Sequence, residues 1–408
     1  MQKSASGFQG KWIEDRLNEL AENTCIDGAV WRAAYTRQDK IAKKMLNEWM
    51  IHKKLSVRED AVGNIFGRVE GNTPETLLIG SHLDTVINGG KYDGAAGIVL
   101  ALAAVGDLTA EYGKPKKSLE VVAFAEEEGS RFGVAFLGSM AMMGKLSMED
   151  LQQQDCDGVT IKQAMVSAGC YPHKLEEAKR EDILSYVELH VEQGPVLDNS
   201  KIKIGIVENI VGCITYSITI KGEQNHAGTT PMPVRKDPVA AAAKFICEIT
   251  SYAQEISSTA TLTIGKIEAI PGMANVIAEK VQLSIDIRDG NKDKLIQIND
   301  FIQKSIREIK HKGYEVYHEK PIYEMPVSLD TGLIQILDEV SEEAGINTLH
   351  MNSGAGHDAQ IIAPFIPSCM IFVPSKDGIS HSPKEYTAAE DLEEGLRVLK
   401  GLIKKLAW

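Results

Sequence analysis

Acids and histidines gather in five short motifs: SHLDTV at 81–86, YDG at 92–94, AEEEG at 125–129, LHVEQGP at 189–195 and GISHSP at 378–383. Each follows an apolar run or lies in a glycine- and serine-rich loop, so five strand ends or loops would have to bring them together. Imidazoles and carboxylates in that number are the donor set of a two-metal hydrolase. Such a site needs two terminal ligand sets and one carboxylate shared between the ions, and it suits zinc, manganese or cobalt better than calcium. His82, Asp93, Glu128, His190 and His381 supply that inventory. Singly each motif says little, because a histidine near a strand end is commonly a satisfied structural residue and a glutamate triplet a solvated face. Their joint occurrence carries the reading.

Local spacing refines it. His82 and Asp84 stand two apart after the apolar run TLLIG, so an extended backbone turns both to one side. Asp84 then accepts from the second ring nitrogen of His82 and fixes its tautomer. Asp93 lies in GGKYDGAAG, where glycines let the backbone approach the ions just before a helix begins. Three successive glutamates cannot all face one point on a regular strand, so AEEEG alone does not divide base from ligand. Gln193 follows His190 by one short step, so one can bind metal while the other meets substrate. His381 sits in a loop rich in glycine, serine and proline, with no helix face to bury on. SGAGHDA at 353–359 offers small residues whose amides can approach a ligand, with Gly356 as the backbone contact and His357 in a supporting role. His52, His173, His311, His318 and His350 have no motif around them and are read as structural.

The elements that must hold these residues alternate. Helical spacing is visible at roughly 8–22, 38–54, 95–112, 160–168, 331–344 and 388–406, and TLLIGS, LEVVAFA, ILSYVELH and SCMIFVP suit buried strands. That alternation predicts a layered α/β domain. From about 209 to 326 the texture changes to strand 211–221, helix 236–256, strand 260–268, strand 275–288, helix 291–312 and strand 314–321. The βαββαβ order predicts a ferredoxin-like sandwich. Ligand candidates lie on both sides of this insertion, so the catalytic domain is expected to be discontinuous, 1–208 with 327–408, around an inserted domain 209–326. Glycines near 205–212 and 322–330 would allow the two to move.

The motifs, their order and their flanking glycines resemble the M20 family of metallopeptidases and amidohydrolases over essentially the whole chain. Peptidase members usually place an acid where this sequence has His190. The histidine looks like the ureido-group branch, which holds allantoate amidohydrolases, N-carbamoyl-L-amino-acid hydrolases and β-ureidopropionases. AEEEGSRF, NHAGTTPM and SGAGHDAQI look most like the first of these subgroups. The resemblance implies that Asp93 bridges two divalent ions, manganese first and zinc or cobalt as alternatives. It makes Glu127 the general base, Glu128 a ligand and Glu126 a support, and it puts Gln193 on the ureido group. It implies that His226 in NHAGTTPM reaches across a homodimer to stabilise the oxyanion in the partner's site. Asn275 and Arg288, bracketing one alternating strand, resemble the family's grip on the substrate carboxylate. The expected reaction is attack of a bridging hydroxide on the ureido carbon of a small anionic substrate, allantoate first, with release of ammonia, carbon dioxide and ureidoglycine.

Composition bounds the alternatives. With 44 basic and 57 acidic residues the net charge is −13, which disfavours nucleic acid or an anionic membrane as partner. No run of about 18 apolar residues is read from the sequence, and the start MQKSASGFQGKW lacks the apolar core of a signal peptide, so a cytoplasmic place is expected. Six cysteines without CxxC spacing read as reduced core residues. Rival readings are an N-carbamoyl-L-amino-acid hydrolase with the same machinery, a dipeptidase or aminoacylase, which His190 disfavours, and a metal-storing protein, which the presence of Glu127 disfavours.

Overall fold

The computed structural model describes residues 6–408; residues 1–5, part of the N-terminal stretch read above, lie outside the described residues. The chain divides into two compact units, Met1–Glu208 with Ser328–Trp408, and Asn209–Val327.

In the first unit the four apolar runs become Thr73–His82, Lys117–Phe124, Ile183–Val191 and Ser368–Val373. They are neighbours and all parallel, in the spatial order 117–124, 73–82, 183–191, 368–373. Their near-continuous burial is the mark of parallel strands covered on both faces. Antiparallel strands flank them: Ile65–Val69 and then Ser56–Glu59 on one side, Ile204–Ile210 on the other. Sequence patterning missed these flanking strands, which are short or half-polar.

Helices Ser6–Thr24, Arg37–His52, Ala95–Tyr112, Thr331–Ala344 and Ala389–Ala407 pack against the sheet in one apolar core. The helix Ala95–Tyr112 lies at its centre, with Ala95–Gly106 and Leu108 buried. This corrects the expectation that no long apolar run exists. Among the described residues this helix is long and apolar enough to cross a membrane by length and composition, and it is mostly buried in the core. The cysteine reading is also corrected. All six are free, but only Cys170 and Cys369 are buried, Cys213 is intermediate, and Cys25, Cys156 and Cys247 are exposed.

The second unit runs strand Gly212–Lys221, helix Pro238–Ile256, strands Thr261–Ile270 and Lys280–Asp289, helix Lys292–His311 and strand Glu315–His318. Its sheet is antiparallel, in the order 261–270, 280–289, 212–221, 315–318. Strict alternation explains its core: Ile214, Tyr216, Ile218 and Ile220 on one strand and Val281, Leu283, Ile285 and Ile287 on its neighbour meet both helices. Asp237 caps the first helix by accepting from Val239 and Ala240, and Asn291 caps the second by accepting from Lys294.

Candidate metal centre

The motifs converge at the carboxyl ends of the parallel strands, where open α/β sheets place their ligands. His82 ends one strand, Asp93 lies in the loop after it, Glu126–Glu128 follow the next, His190 stands near the end of a third, and His381 lies beyond the fourth. The chain leaves its strand at Phe124 and turns at Glu126, whose φ of 52° is left-handed. That turn lets Glu127 and Glu128 both face the centre while Glu126 points elsewhere, its Oε1 accepting from the Arg131 amide at 3.4 Å.

Two ligand triads share Asp93. His82, Asp93 and His190 form one, and Asp93, Glu128 and His381 the other, with the donor atoms of each triad within 4.8 Å of one another. Asp93 Oδ1 faces His82 Nε2 at 3.4 Å and His190 Nε2 at 3.2 Å, while Oδ2 faces His381 Nε2 at 3.3 Å. Glu128 Oε1 lies 3.5 Å from His381 Nε2. A third group joins His82 to Glu127 and Glu128, with Glu127 Oε2 at 3.9 Å from His82 Nε2.

Metal ions fit this arrangement on the hydrogen bonds of the structure itself. His190 Nδ1 lies 2.9 Å from the Val191 carbonyl and His82 Nδ1 3.1 Å from the Asp84 carbonyl, so both Nδ1 protons are directed outward. The two Nε2 lone pairs then face a carboxylate oxygen, acceptor against acceptor, a contact that needs a proton or a cation between the atoms. Asp93 Oδ1 and Glu128 Oε1 are buried without a hydrogen-bond partner. The amide of Gly94 also points at His190 Nε2, at 3.2 Å.

Electrostatics describe the same demand. Burial works against a charged His82, yet Glu127, Asp93 and Asp84 push it well above the usual histidine range. Burial also works against a charged Asp93, but the surrounding imidazoles of His190, His381 and His82 hold it well below the usual carboxylate range. Glu127 is pushed well above its ordinary value by burial and by the charges of Asp358, Glu128 and Asp84, against the pull of His82. Glu128 rises to about 7 through burial and Asp93, and His381 to about 8, chiefly through its hydrogen bond to Asp93. Protons taken up by these groups occupy the place of positive charge that a cation would fill.

The supporting residues differ in part from expectation. The tautomer of His82 is set by the backbone carbonyl of Asp84; its carboxylate, 3.8 Å from Nδ1, instead accepts the amides of Glu127 and Glu128 at 3.0 and 3.1 Å. Asp84 therefore holds the glutamate turn. Gln193 donates through Nε2 to Asp93 Oδ2 at 2.8 Å, and its Oε1 is buried without a hydrogen-bond partner. His357 is 2.9 Å from the Ser353 hydroxyl and stands edge-on to the His190 ring at 4.5 Å between centroids. Burial and the neighbouring His190 keep it well below the usual histidine range. Gly356 lies against Phe136, where an added Cβ would stand 2.8 Å from the ring.

Three further residues also serve the centre, Arg32 and Glu385 outside the named motifs and Ser380 within GISHSP. Arg32, fully buried, donates through Nε to the Leu83 carbonyl at 2.9 Å; burial lowers it to about 10 against the opposing charges of Asp84, Glu385 and Asp93. Glu385 accepts the amides of Tyr92 and Asp93 at 2.9 and 3.2 Å. Ser380 Oγ lies 3.2 Å from Asp93 Oδ2 and 3.0 Å from Glu385 Oε1. The only signal for Glu385 was an acid four residues after His381 in one loop.

In the second unit His226 is exposed, and its Nδ1 accepts from the amides of Gly228 and Thr229 at 3.0 and 3.3 Å. The proton of a neutral ring therefore sits on Nε2, an outward donor. The Ala227 amide donates to the Asn275 carbonyl at 3.0 Å, so His226 and Asn275 are neighbours. Arg288 forks onto Asp286, Nε to Oδ1 at 2.9 Å and Nη2 to Oδ2 at 3.3 Å. Asn275 precedes the strand Lys280–Asp289, and Arg288 is the penultimate residue of that strand.

The profile of peptidase family M20/M25/M40 matches residues 78–405. An allantoate amidohydrolase of Bacillus subtilis is 43% identical over 401 residues, 97% of this chain and 97% of that protein. An N-carbamoyl-L-amino-acid amidohydrolase of Pseudomonas sp. is 38% identical over 96% of each. The crystal structure of an amidase of the hydantoinase/carbamoylase family from Burkholderia multivorans superposes with a TM-score of 0.91 over 98% of both chains at 31% identity. With most of its length matched by the profile and relatives alike from end to end, this chain belongs to peptidase family M20/M25/M40.

Proposed function

We propose that this chain is an allantoate amidohydrolase that cleaves a ureido C–N bond to give ureidoglycine, ammonia and carbon dioxide. It is a hydrolase of C–N bonds by family, and the named activities of its full-length relatives support a ureido acid as substrate. The observation that carries the chemistry is the pair of triads sharing Asp93 beside a buried Glu127.

His82, His190 and Asp93 would hold one divalent ion, and Asp93, Glu128 and His381 the other, with manganese the first choice and zinc or cobalt alternatives. Two such ions lower the pKa of the attacking water and polarise the ureido carbonyl. Glu127 takes the proton of that water and hands it to the departing nitrogen, and its raised pKa suits both transfers. The bond between the ureido carbon and the substituted nitrogen breaks. The amine stays on ureidoglycine, and the carbamate fragment decomposes to ammonia and carbon dioxide. Gln193, held through Nε2, keeps Oε1 to accept a ureido N–H. Residues 209–327 act as a ferredoxin-like dimerisation domain, and His226 from the partner subunit stabilises the negative charge that develops on the carbonyl oxygen through its outward Nε2–H. Asn275, beside it, and Arg288 serve as the grip on the substrate carboxylate. A cytoplasmic place belongs to the same reading, supported by six unpaired cysteines.

The relative active on N-carbamoyl-L-amino acids supports a second reading with identical machinery and a different pocket. Ammonia release by manganese-loaded protein offered allantoate, N-carbamoyl-L-amino acids and a dipeptide separates them. Rapid release from allantoate alone is expected. Preference for carbamoyl amino acids moves the assignment to that activity, and dipeptide cleavage alone refutes both.

A further inference from the structure

We propose that Glu385 is a positioning residue that fixes Asp93 as the shared ligand of both triads and locks its loop to the loop carrying His381. The inference rests on the two-metal reading of the site.

A shared carboxylate has to direct its two oxygens in two directions at once, and that fixes its backbone as well as its side chain. Glu385 Oε2 accepts from the amides of Tyr92 and Asp93 at 2.9 and 3.2 Å. Its other oxygen meets Ser380 Oγ at 3.0 Å, and that hydroxyl lies 3.2 Å from Asp93 Oδ2. One side chain thus grips the backbone of Asp93 directly, while the Ser380 hydroxyl, with a single proton to give, stands between its carboxylate and that of Asp93. Ser380 and Glu385 flank His381 in the same loop, and the Glu385 amide donates to the Ser382 carbonyl at 3.0 Å. The two loops that feed the triad Asp93–Glu128–His381 are therefore held in register by this group.

The neighbouring sequence is cut to fit it. A Cβ at Gly90 would stand 2.1 Å from Glu385 Oε2 and 2.5 Å from its Cβ, so only glycine lets the carboxylate reach the loop. Glu385 is 4% exposed. A buried carboxylate is costly unless its oxygens are hydrogen-bonded, and here both are, with two of the three donors on the ligand loop itself.

Metal-free protein carrying Glu385→Ala, Glu385→Gln or Gly90→Ala is titrated with manganese by calorimetry, beside wild type, with far-UV circular dichroism to check the fold. Wild type is expected to take up two ions. Glu385→Ala and Gly90→Ala should keep the fold and bind one of the two about 10- to 100-fold more weakly, the usual size of a supporting-residue effect. Glu385→Gln should restore most of the affinity, because its carbonyl accepts both amides and its NH2 donates to Ser380. On the loaded enzyme the alanine variants should lower kcat with KM little changed. Folded alanine variants that bind both ions as wild type does overturn the proposal. A wild type that binds fewer than two ions overturns instead the site reading beneath it.

Discussion

At the residue scale, the function turns on which carboxylate keeps a proton and which gives it up. Glu127 is buried beside His82 but belongs to neither shared triad, so Glu127→Gln should leave metal uptake intact and lower kcat by at least ~10²-fold, the usual contribution of a general base. Stopped-assay ammonia release together with metal analysis checks both halves; turnover within a few fold of wild type would remove Glu127 from the mechanism. The ligands carry their own pH dependence. His381 titrates at about 8 and Glu128 at about 7, and each binds a cation only when deprotonated. Apparent manganese affinity should therefore fall as pH drops through about 8 and again through about 7. Calorimetry in buffers of different ionisation enthalpy should find more protons released per ion near pH 7 than near pH 9. An affinity flat across that range would contradict these assignments. The histidines and acids were legible because each stands in a motif whose neighbours have no other reason to be there. Asp84, Arg32 and Glu385 were misread or missed because they act on backbone amides and carbonyls far away in sequence, and such bonds leave no spacing to read.

At the scale of elements, periodicity worked where one face is buried and failed where an element is short. The six helical stretches expected in the first unit and the two in the second lie within a few residues of their observed bounds, because their apolar positions recur at helical spacing. Ser56–Glu59 and Ile65–Val69 escaped, since strands of four or five residues give too few repeats to count. The centre depends on one close approach. The helix Ala95–Tyr112 starts two residues after Asp93 and crosses the strand carrying His190 at Gly97, where a Cβ would stand 2.2 Å from the Leu189 carbonyl oxygen. Gly97→Ala must push the helix off the sheet. A stability loss on the order of 1–3 kcal/mol is expected from such overpacking, read as a lower denaturant midpoint. Metal affinity should weaken with it, because the first turn of the helix moves with Asp93. An unchanged midpoint would mean that the sheet yields at no cost.

At the scale of the whole molecule, the proposed function divides its residues between the two units. The candidate ligands and the proposed base Glu127 lie in the first unit, while the outward donor His226 and its neighbour Asn275 lie together in the second. In the proposed assembly each copy lends His226 to the site of the other. Subunit mixing tests this without any assumption about the interface. Glu127→Gln homodimers lack the base in both sites, and His226→Ala homodimers lack the oxyanion donor in both, so each preparation alone should be nearly inactive. When the two are unfolded and refolded together in equal amounts, half of the dimers are mixed. Each mixed dimer holds one site with an intact Glu127 that receives an intact His226 from its partner. Activity should recover to about a quarter of wild type for random pairing in a twofold dimer. If His226 served its own subunit instead, every site in the mixture would still lack one of the two groups, and no activity would return.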